Sequence, residues 1–222
     1  MKISVKVAEL FDCRISHISP FFEKFTYPWE LLGEIKGYIQ YLLEIGLPGY
    51  TRLRENVLVG EGVNIHPSAV IEGSAVIGAG TELRPGAFLR GNVITGEDCV
   101  IGNSSEIKNS ILLECCQVPH YNYVGDSILG NRAHMGAGAI CSNLKADKNN
   151  VVIHGMEDIP TGLRKVGAFL GDGADIGCGC VLNPGTVVGK NTSVYPLSAL
   201  RGVYPSDCII KSRDDICPRI RS

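Results

Sequence analysis

A triangular β-solenoid is the fold this chain predicts, and three observations point to it. An aliphatic residue returns every sixth position at Ile65, Ile71, Ile77, Leu83, Leu89, Ile101 and Ile107, with Thr95 the gap in the series. Four places after these positions sits something compact: Ala69, Ala75, Thr81, Ala87, Val93, Cys99 and Ser105. The register returns late in the chain at Leu170, Ile176, Leu182, Val188, Val194 and Leu200, with Ala174, Cys180, Thr186, Thr192 and Ser198 in the small slots. Neither the helical period of about 3.6 nor the strand period of about 2.0 yields a clean six. Each unit must therefore bury its face on the next.

Residues 1–56 lack the period and form an N-terminal segment of their own. Pro28 is suited to a first helical turn, and Trp29, Leu31, Leu32, Ile35, Ile39, Leu42 and Leu43 follow at helical spacing up to Gly46. This amphipathic helix is expected to pack on the open end of the solenoid, where backbone groups would otherwise be unpaired. The repeat domain spans 57–205. After Ile107 its aliphatics continue at Leu112, Val118, Val124, Leu129 and Met135, so some steps are five residues long. A shortened step at a corner re-aims neighbouring side chains, a device found beside functional sites. From 143 to 165 the pattern vanishes into a polar loop containing Gly155, Pro160 and Gly162, and a loop of that length is more often functional than idle. Coils resume near Val166 and fade after Tyr204, leaving a tail, 206–222, with Lys211, Arg213, Arg219 and Arg221. About seven coils at roughly 4.8 Å each make a prism on the order of 30 Å tall.

Composition agrees with a thin aliphatic core, at 45% hydrophobic residues but only 7% aromatic. A net charge of −2 gives no broad field for nucleic acid, while leaving room for a local basic pocket. No apolar run approaches the roughly 20 residues of a membrane helix, and Met1 to Lys6 lacks the pattern of a secretory signal. Of nine cysteines, Cys99, Cys116 and Cys180 fall in small-residue slots, where a free thiol acts as a compact hydrophobe. A reduced, cytoplasmic protein is the expectation. Cys115-Cys116 and Cys178-x-Cys180 do not follow zinc-ligand pairing, nor is there a close histidine pair, so no metal is expected.

Periodicity also yields a site. Arg90 precedes Lys108 by eighteen residues, three hexapeptides, so the two should stack one coil apart, about 4.8 Å, on the same edge. Corner charges on solenoids are commonly just solvated. Stacked like charges are mildly unfavourable without a ligand, which favours an anion site. His120 reads either as a corner histidine satisfied by backbone groups or as a general base.

The stretch 104–143, SSEIKNSILLECCQVPHYNYVGDSILGNRAHMGAGAICSN, resembles the acetyltransferase half of the bifunctional bacterial and archaeal enzymes that make UDP-N-acetylglucosamine. The matching elements are Glu106-Ile107-Lys108, the block from Pro119 to Ser127, Gly136-Ala137-Gly138 and Ser142-Asn143. The likeness covers 60 to 205 and extends to the helix around Tyr27-Pro28-Trp29. It implies a single-stranded left-handed parallel β-helix, assembly as a homotrimer, and acetyl-CoA as co-substrate. It further implies acetylation of an amino-sugar 1-phosphate such as glucosamine-1-phosphate. By the same resemblance His120 is the general base, Arg90 and Lys108 take the phosphate, and Tyr123 with Asn143 takes the sugar. Arg84-Pro85-Gly86-Ala87 also matches a family motif but is out of stacking register with Lys108, so Arg90 is preferred. His134 stands where the family has an asparagine contacting the amino sugar. Lys148 in the loop is suited to reach a neighbouring subunit's site. Ala137 and Gly138 would give backbone access to the pantetheine arm, with Cys178 and Pro196 continuing the groove by register. Arg201, Lys211 and Arg213 read as coenzyme phosphate ligands or, more simply, as an ordinary basic tail. No glycine-rich nucleotide loop of the family's pyrophosphorylase half occurs in the sequence. A second reading is therefore a non-catalytic partner of a separate sugar nucleotidyltransferase.

Overall fold

Hexad residues that alternate between core and solvent can share one interior only if the chain turns a corner after each short strand. That is what the computed structural model, which describes residues 3–15, 17–212 and 214–219, contains. Three parallel faces result. The first stacks Asn64–Ile65, Glu82–Leu83, Val100–Asn103, Gln117–His120, His134–Met135, Asp175–Ile176, Ser193–Val194 and Cys208–Ser212. The second stacks Val70–Glu72, 88–90, 106–108, Tyr123–Gly125, Ile140–Cys141, Val181–Leu182 and Ala199–Leu200. The third stacks Val57–Gly60, Ala75–Ile77, 93–95, 110–112, Ile128–Leu129, Ala168–Leu170, Thr186–Val188 and Val203–Tyr204. The prism is therefore taller than the seven coils expected from the hexads, and it continues past Tyr204 into 208–212.

The predicted aliphatic and small positions form one buried column between the faces, Ile77, Leu83, Leu89, Ile101 and Ile107 among them, with Cys99, Cys116 and Cys180 in the small slots and Cys141 in an aliphatic place between Val124 and Leu182. Thr95, the gap in the series, is also buried, and its hydroxyl accepts the Gly78 amide at 2.9 Å. The shortened steps are real. Glu82 pairs with Val100 eighteen residues on, but Val100 pairs with Gln117 and Gln117 with His134, each seventeen on.

The N-terminal segment does not sit on the open end, as the sequence suggested, but along a flank. The outward residues of the third face are apolar on successive rungs: Leu58, Val76, Ile94, Ile111, Ile128, Phe169 and Val187. An apolar stripe of that height must be covered. Helices α1 (Val7–Leu10), α2 (Ser19–Phe22), α3 (Pro28–Leu32) and α4 (Ile35–Ile45) cover it, forming a second core with Leu10, Ile18, Trp29, Ile35, Ile39 and Leu42. The single helix expected from Pro28 to Gly46 is broken at Gly33-Glu34. Glu30 caps α3 by accepting the Thr26 and Tyr27 amides at 2.9 and 2.8 Å. Gly46, with φ of 70°, closes α4 through its amide to Leu42.

The insertion at 143–165 is not structureless. Val152–His154 and Asp158–Pro160 form an antiparallel hairpin, and its Val151 and Ile153 join the same flank core. At the ends of the solenoid, Tyr50–Arg54 pairs antiparallel with Val57–Gly60, and Asp215–Pro218 pairs antiparallel with Cys208–Ser212. The nine cysteines are unbonded. Among the described residues no helix is long and apolar enough to cross a membrane.

Candidate functional site

Because strand residues alternate, the outward positions of the second face fall into two columns. One runs Glu72, Arg90, Lys108, Gly125, and the other Phe88, Glu106, Tyr123, Ile140. Arg90 and Lys108 are thus direct partners on adjacent rungs. Each cation is met by a carboxylate of the same chain. The Arg90 guanidinium donates to Glu106 Oε1 through Nε at 2.6 Å, and Lys108 Nζ lies 3.1 Å from Asp126 Oδ2. Asp126 is buried and takes two further donors, Asn109 Nδ2 at 2.9 Å and Asn143 Nδ2. Asn109 Nδ2 also reaches the Leu32 carbonyl, tying this cluster to α3.

Tyr123 and Asn143 cross over Gly125, where a Cβ would come within 2.5 Å of the tyrosine oxygen and 2.7 Å of the asparagine nitrogen. A Cβ there would push the ends of both side chains aside, so glycine leaves their crossing undisturbed. Partial burial pushes the Tyr123 phenol up from its ordinary pKa; the Glu106 and Asp126 charges add to this, while Arg90 and a hydrogen bond with Asn143 oppose it. The phenol therefore stays protonated and available as a donor near neutrality.

His120 ends its strand at the corner between the first and second faces, with its side chain exposed. Its backbone is fixed: the amide donates to Asn122 Oδ1 at 3.0 Å and the carbonyl accepts from Gly138 at 3.0 Å. Asn122 is buried and donates in turn to the Gly136 and Ala139 carbonyls, so it pins this corner to the rung below. Among the described residues the His120 imidazole has no hydrogen-bond partner. The corner continues downward. Gly138 donates to His120, Gly179 to Ala137 and Leu197 to Cys178, so His120, Ala137, Cys178 and Pro196 occupy equivalent places on four rungs. Ala137, Cys178 and Pro196 are all exposed. The residues that turn this corner have positive φ, namely Ser104, Tyr121, Gly138, Gly179 and Leu197.

Two candidates lie elsewhere within the chain. His134 is on the first face, on the rung beneath Gln117, and its Nδ1 is 2.8 Å from Asp175 Oδ1. That hydrogen bond chiefly lowers the Asp175 pKa, against partial burial. Lys148 is exposed in the insertion with φ of 57°, its amide bonded to the Lys145 carbonyl. Arg84 is likewise on the first face, paired with Glu82 at 2.9 Å. Arg213 lies outside the described residues. Asp126, Asn109 and Asn122 were missed by sequence reasoning, although Asp126 lies inside the Gly-Asp-Ser of the matched block. Among the described residues no group of three potential ligands gathers for a metal.

The rungs, the corners and this face define a hexapeptide-repeat β-helix protein. Within that class the chain is similar to the proteins named bifunctional protein GlmU. It is 34% identical to that of Methanococcus maripaludis over 171 residues, 76% of this chain and 42% of the relative. It is 40% identical to that of Methanococcus vannielii over 98 residues, 44% of this chain and 24% of the relative. A bifunctional sugar-1-phosphate nucleotidylyltransferase/acetyltransferase of Sulfurisphaera tokodaii is 36% identical over 97 residues, 43% of this chain and 24% of the relative. The chain thus spans less than half the length of these relatives. The family model for the GMPPB C-terminal domain matches residues 72–157. Among solved structures, the acetyltransferase domain of PglB from Neisseria gonorrhoeae aligns at 18% identity and a TM-score of 0.42, over 70% of this chain and 57% of that one.

Proposed function

We propose that this protein transfers an acetyl group from acetyl-CoA to the amine of an amino-sugar 1-phosphate, with glucosamine-1-phosphate the first substrate to test. The observation that carries the reading is the gathering of Arg90, Lys108, Tyr123 and Asn143 on one face whose edge bears an exposed His120. The name of the Sulfurisphaera tokodaii relative, which joins sugar-1-phosphate nucleotidylyl transfer to acetyl transfer, agrees with it.

In the reaction the amine nitrogen attacks the thioester carbonyl, the new C–N bond forms and the C–S bond breaks. His120 takes the proton released by nitrogen and passes it to the departing sulfur, so the coenzyme leaves as its thiol and the imidazole is regenerated. A positioned base of this kind contributes roughly 10²–10⁴ in rate. Arg90 and Lys108 hold the phosphate, which competes for them with Glu106 and Asp126, the carboxylates that balance the two cations in the free site. Tyr123 and Asn143 donate to sugar hydroxyls. The pantetheine arm follows the exposed corner past Ala137, Gly138, Cys178 and Pro196. Assembly as a cytoplasmic homotrimer would let His134 and Lys148 act on the site of a neighbouring copy.

The test is release of coenzyme thiol across a panel of amino-sugar phosphates. Glucosamine-1-phosphate should be turned over by the wild type, and His120→Ala should lose at least about a hundredfold with unchanged oligomeric state. Turnover unaffected by His120→Ala removes the base. A second reading, a non-catalytic partner of a separate nucleotidyltransferase, is favoured by the internal pairing of both cations and the unpartnered imidazole. It predicts no thiol release with any acceptor, together with co-purification of a nucleotidyltransferase.

A further inference from the structure

Below Lys108 the same outward column continues through Gly125, Ser142 and Asn183 to Arg201. Its lower end floors a pocket of about 520 Å³, walled by the insertion through Lys145, Asp147 and His154. That volume is in the range of small-molecule sites. Arg201 is four rungs from Lys108, about 19 Å along the prism, so no single phosphate reaches both.

The charges of this pocket are arranged differently from those above it. Arg90 and Lys108 each face a carboxylate. The Arg201 guanidinium instead donates to His154 Nε2 at 3.0 Å. Guanidinium has no lone pair, so the imidazole must be the acceptor at Nε2 and carry its proton on Nδ1. That Nδ1–H points to Asp158 Oδ1 at 2.9 Å, which fixes the tautomer. The partner of Arg201 is therefore a neutral ring. Lys145, 3.1 Å from Asp147, supplies the second cation, and the lining carries one net positive charge. On the floor, Asn183 Nδ2 is committed to the Leu200 carbonyl at 2.9 Å, leaving its Oδ1 to accept from a ligand hydroxyl, with Ser142 beside it.

We propose that this pocket is a second ligand site that takes a phosphate ester on a hydroxyl-bearing ring, with Arg201 gripping the phosphate and His154 holding the guanidinium in place. A planar fork held by a neutral acceptor is pre-set for an anion and loses no ion pair when one arrives. Two sources supply this chemistry: a sugar phosphate, or the phosphorylated ribose at the nucleotide end of a coenzyme.

Calorimetric titration of the full chain distinguishes them, using glucosamine-1-phosphate in one arm and adenosine 3′,5′-bisphosphate in the other. At least one probe should bind the wild type. Arg201→Gln should weaken that probe about tenfold or more, and His154→Ala should weaken it by less. Lys108→Met should leave the Arg201-dependent component in place. Arg201→Lys should recover part of the affinity, which a mere folding defect in Arg201→Gln would not predict. Loss confined to the bisphosphate assigns the pocket to a coenzyme, and loss confined to the sugar phosphate assigns it to an acceptor or product. Binding of neither probe, or wild-type affinity in Arg201→Gln, overturns the proposal. Absent thiol release with Arg201-dependent binding intact would remove the acetyl-transfer reading and leave this one standing.

Discussion

Replacing Lys108 with methionine removes the ammonium that faces Asp126 and leaves a carboxylate whose side chain is 7% exposed. At 3.1 Å the gross attraction of this pair is about 5 kcal/mol for an effective dielectric near 20. The net loss is smaller, because Asn109 and Asn143 still donate to Asp126 and the lysine is itself one-fifth exposed. Stranding the carboxylate should then cost about 2–3 kcal/mol. For a chain of this size that lowers the melting temperature by about 4–12 °C. Asp126→Asn should cost less, since the freed lysine can turn to water. The double variant should recover part of the loss, giving a coupling energy of roughly 1.5–3 kcal/mol in the cycle. Thermal melts of the four proteins measure this. The same melts repeated with saturating glucosamine-1-phosphate read the binding role. At about a hundred times its dissociation constant the ligand should stabilise the wild type by about 2.7 kcal/mol, and Lys108→Met by clearly less. A Lys108→Met protein as stable as the wild type, or a cycle that closes without coupling, would refute the claim that this pair organises the face.

Phe169→Ala tests the flank on which the N-terminal helices lie. Phe169 is wholly buried with its ring centroid 6.1 Å from that of Trp29, so its truncation should cost about 3–5 kcal/mol. Trp29 is the chain's only tryptophan, and its fluorescence should therefore report release of the helices at lower urea than in the wild type. An unmoved fluorescence midpoint would contradict the packing described. His17 gives a pH dependence of known sign. Burial holds its folded pKa below the ordinary 6.5, so the folded state favours the neutral ring. Its contribution to stability is complete above about pH 6.5 and is lost as pH falls through the folded value. Melting temperatures of His17→Gln should fall less between pH 7.5 and pH 5 than those of the wild type, and parallel slopes would dismiss the assignment.

The solenoid was legible because hexads write the core and the stacking register in one pattern, which is how Arg90 and Lys108 could be paired before any coordinates. The covered flank was written there too, in a form easily passed over. Val76, Ile94, Ile111, Ile128, Phe169 and Val187 each immediately precede the inward residue of the third face, except that Thr95 takes the inward place after Ile94. Such apolar neighbours in a strand that should alternate mark a face buried on both sides. The six-residue period alone does not show them, and it places the helix at the end of the prism. The carboxylates of the site were harder to see. Glu106 and Asp126 face their cations because of rung pairing and a corner, and a motif read as cations and an imidazole does not reveal that its charges are already balanced. The His134–Asp175 contact crosses the insertion between one rung and the next, so linear spacing gives no sign of it.

The antiparallel strands at the two ends of the prism bear on how the molecule behaves in a crowded solution. Parallel rungs are a template that any like strand could extend, and a column of them left open would invite growth into filaments. Here the third face at the Val57 end and the first face at the Cys208 end finish in a ladder that runs the wrong way for another rung to follow. Its outer members carry Arg52 and Arg54 at one end and Pro218, which lacks an amide hydrogen, at the other. Two short hairpins thereby block one of the three faces at each end against growth by a further parallel rung.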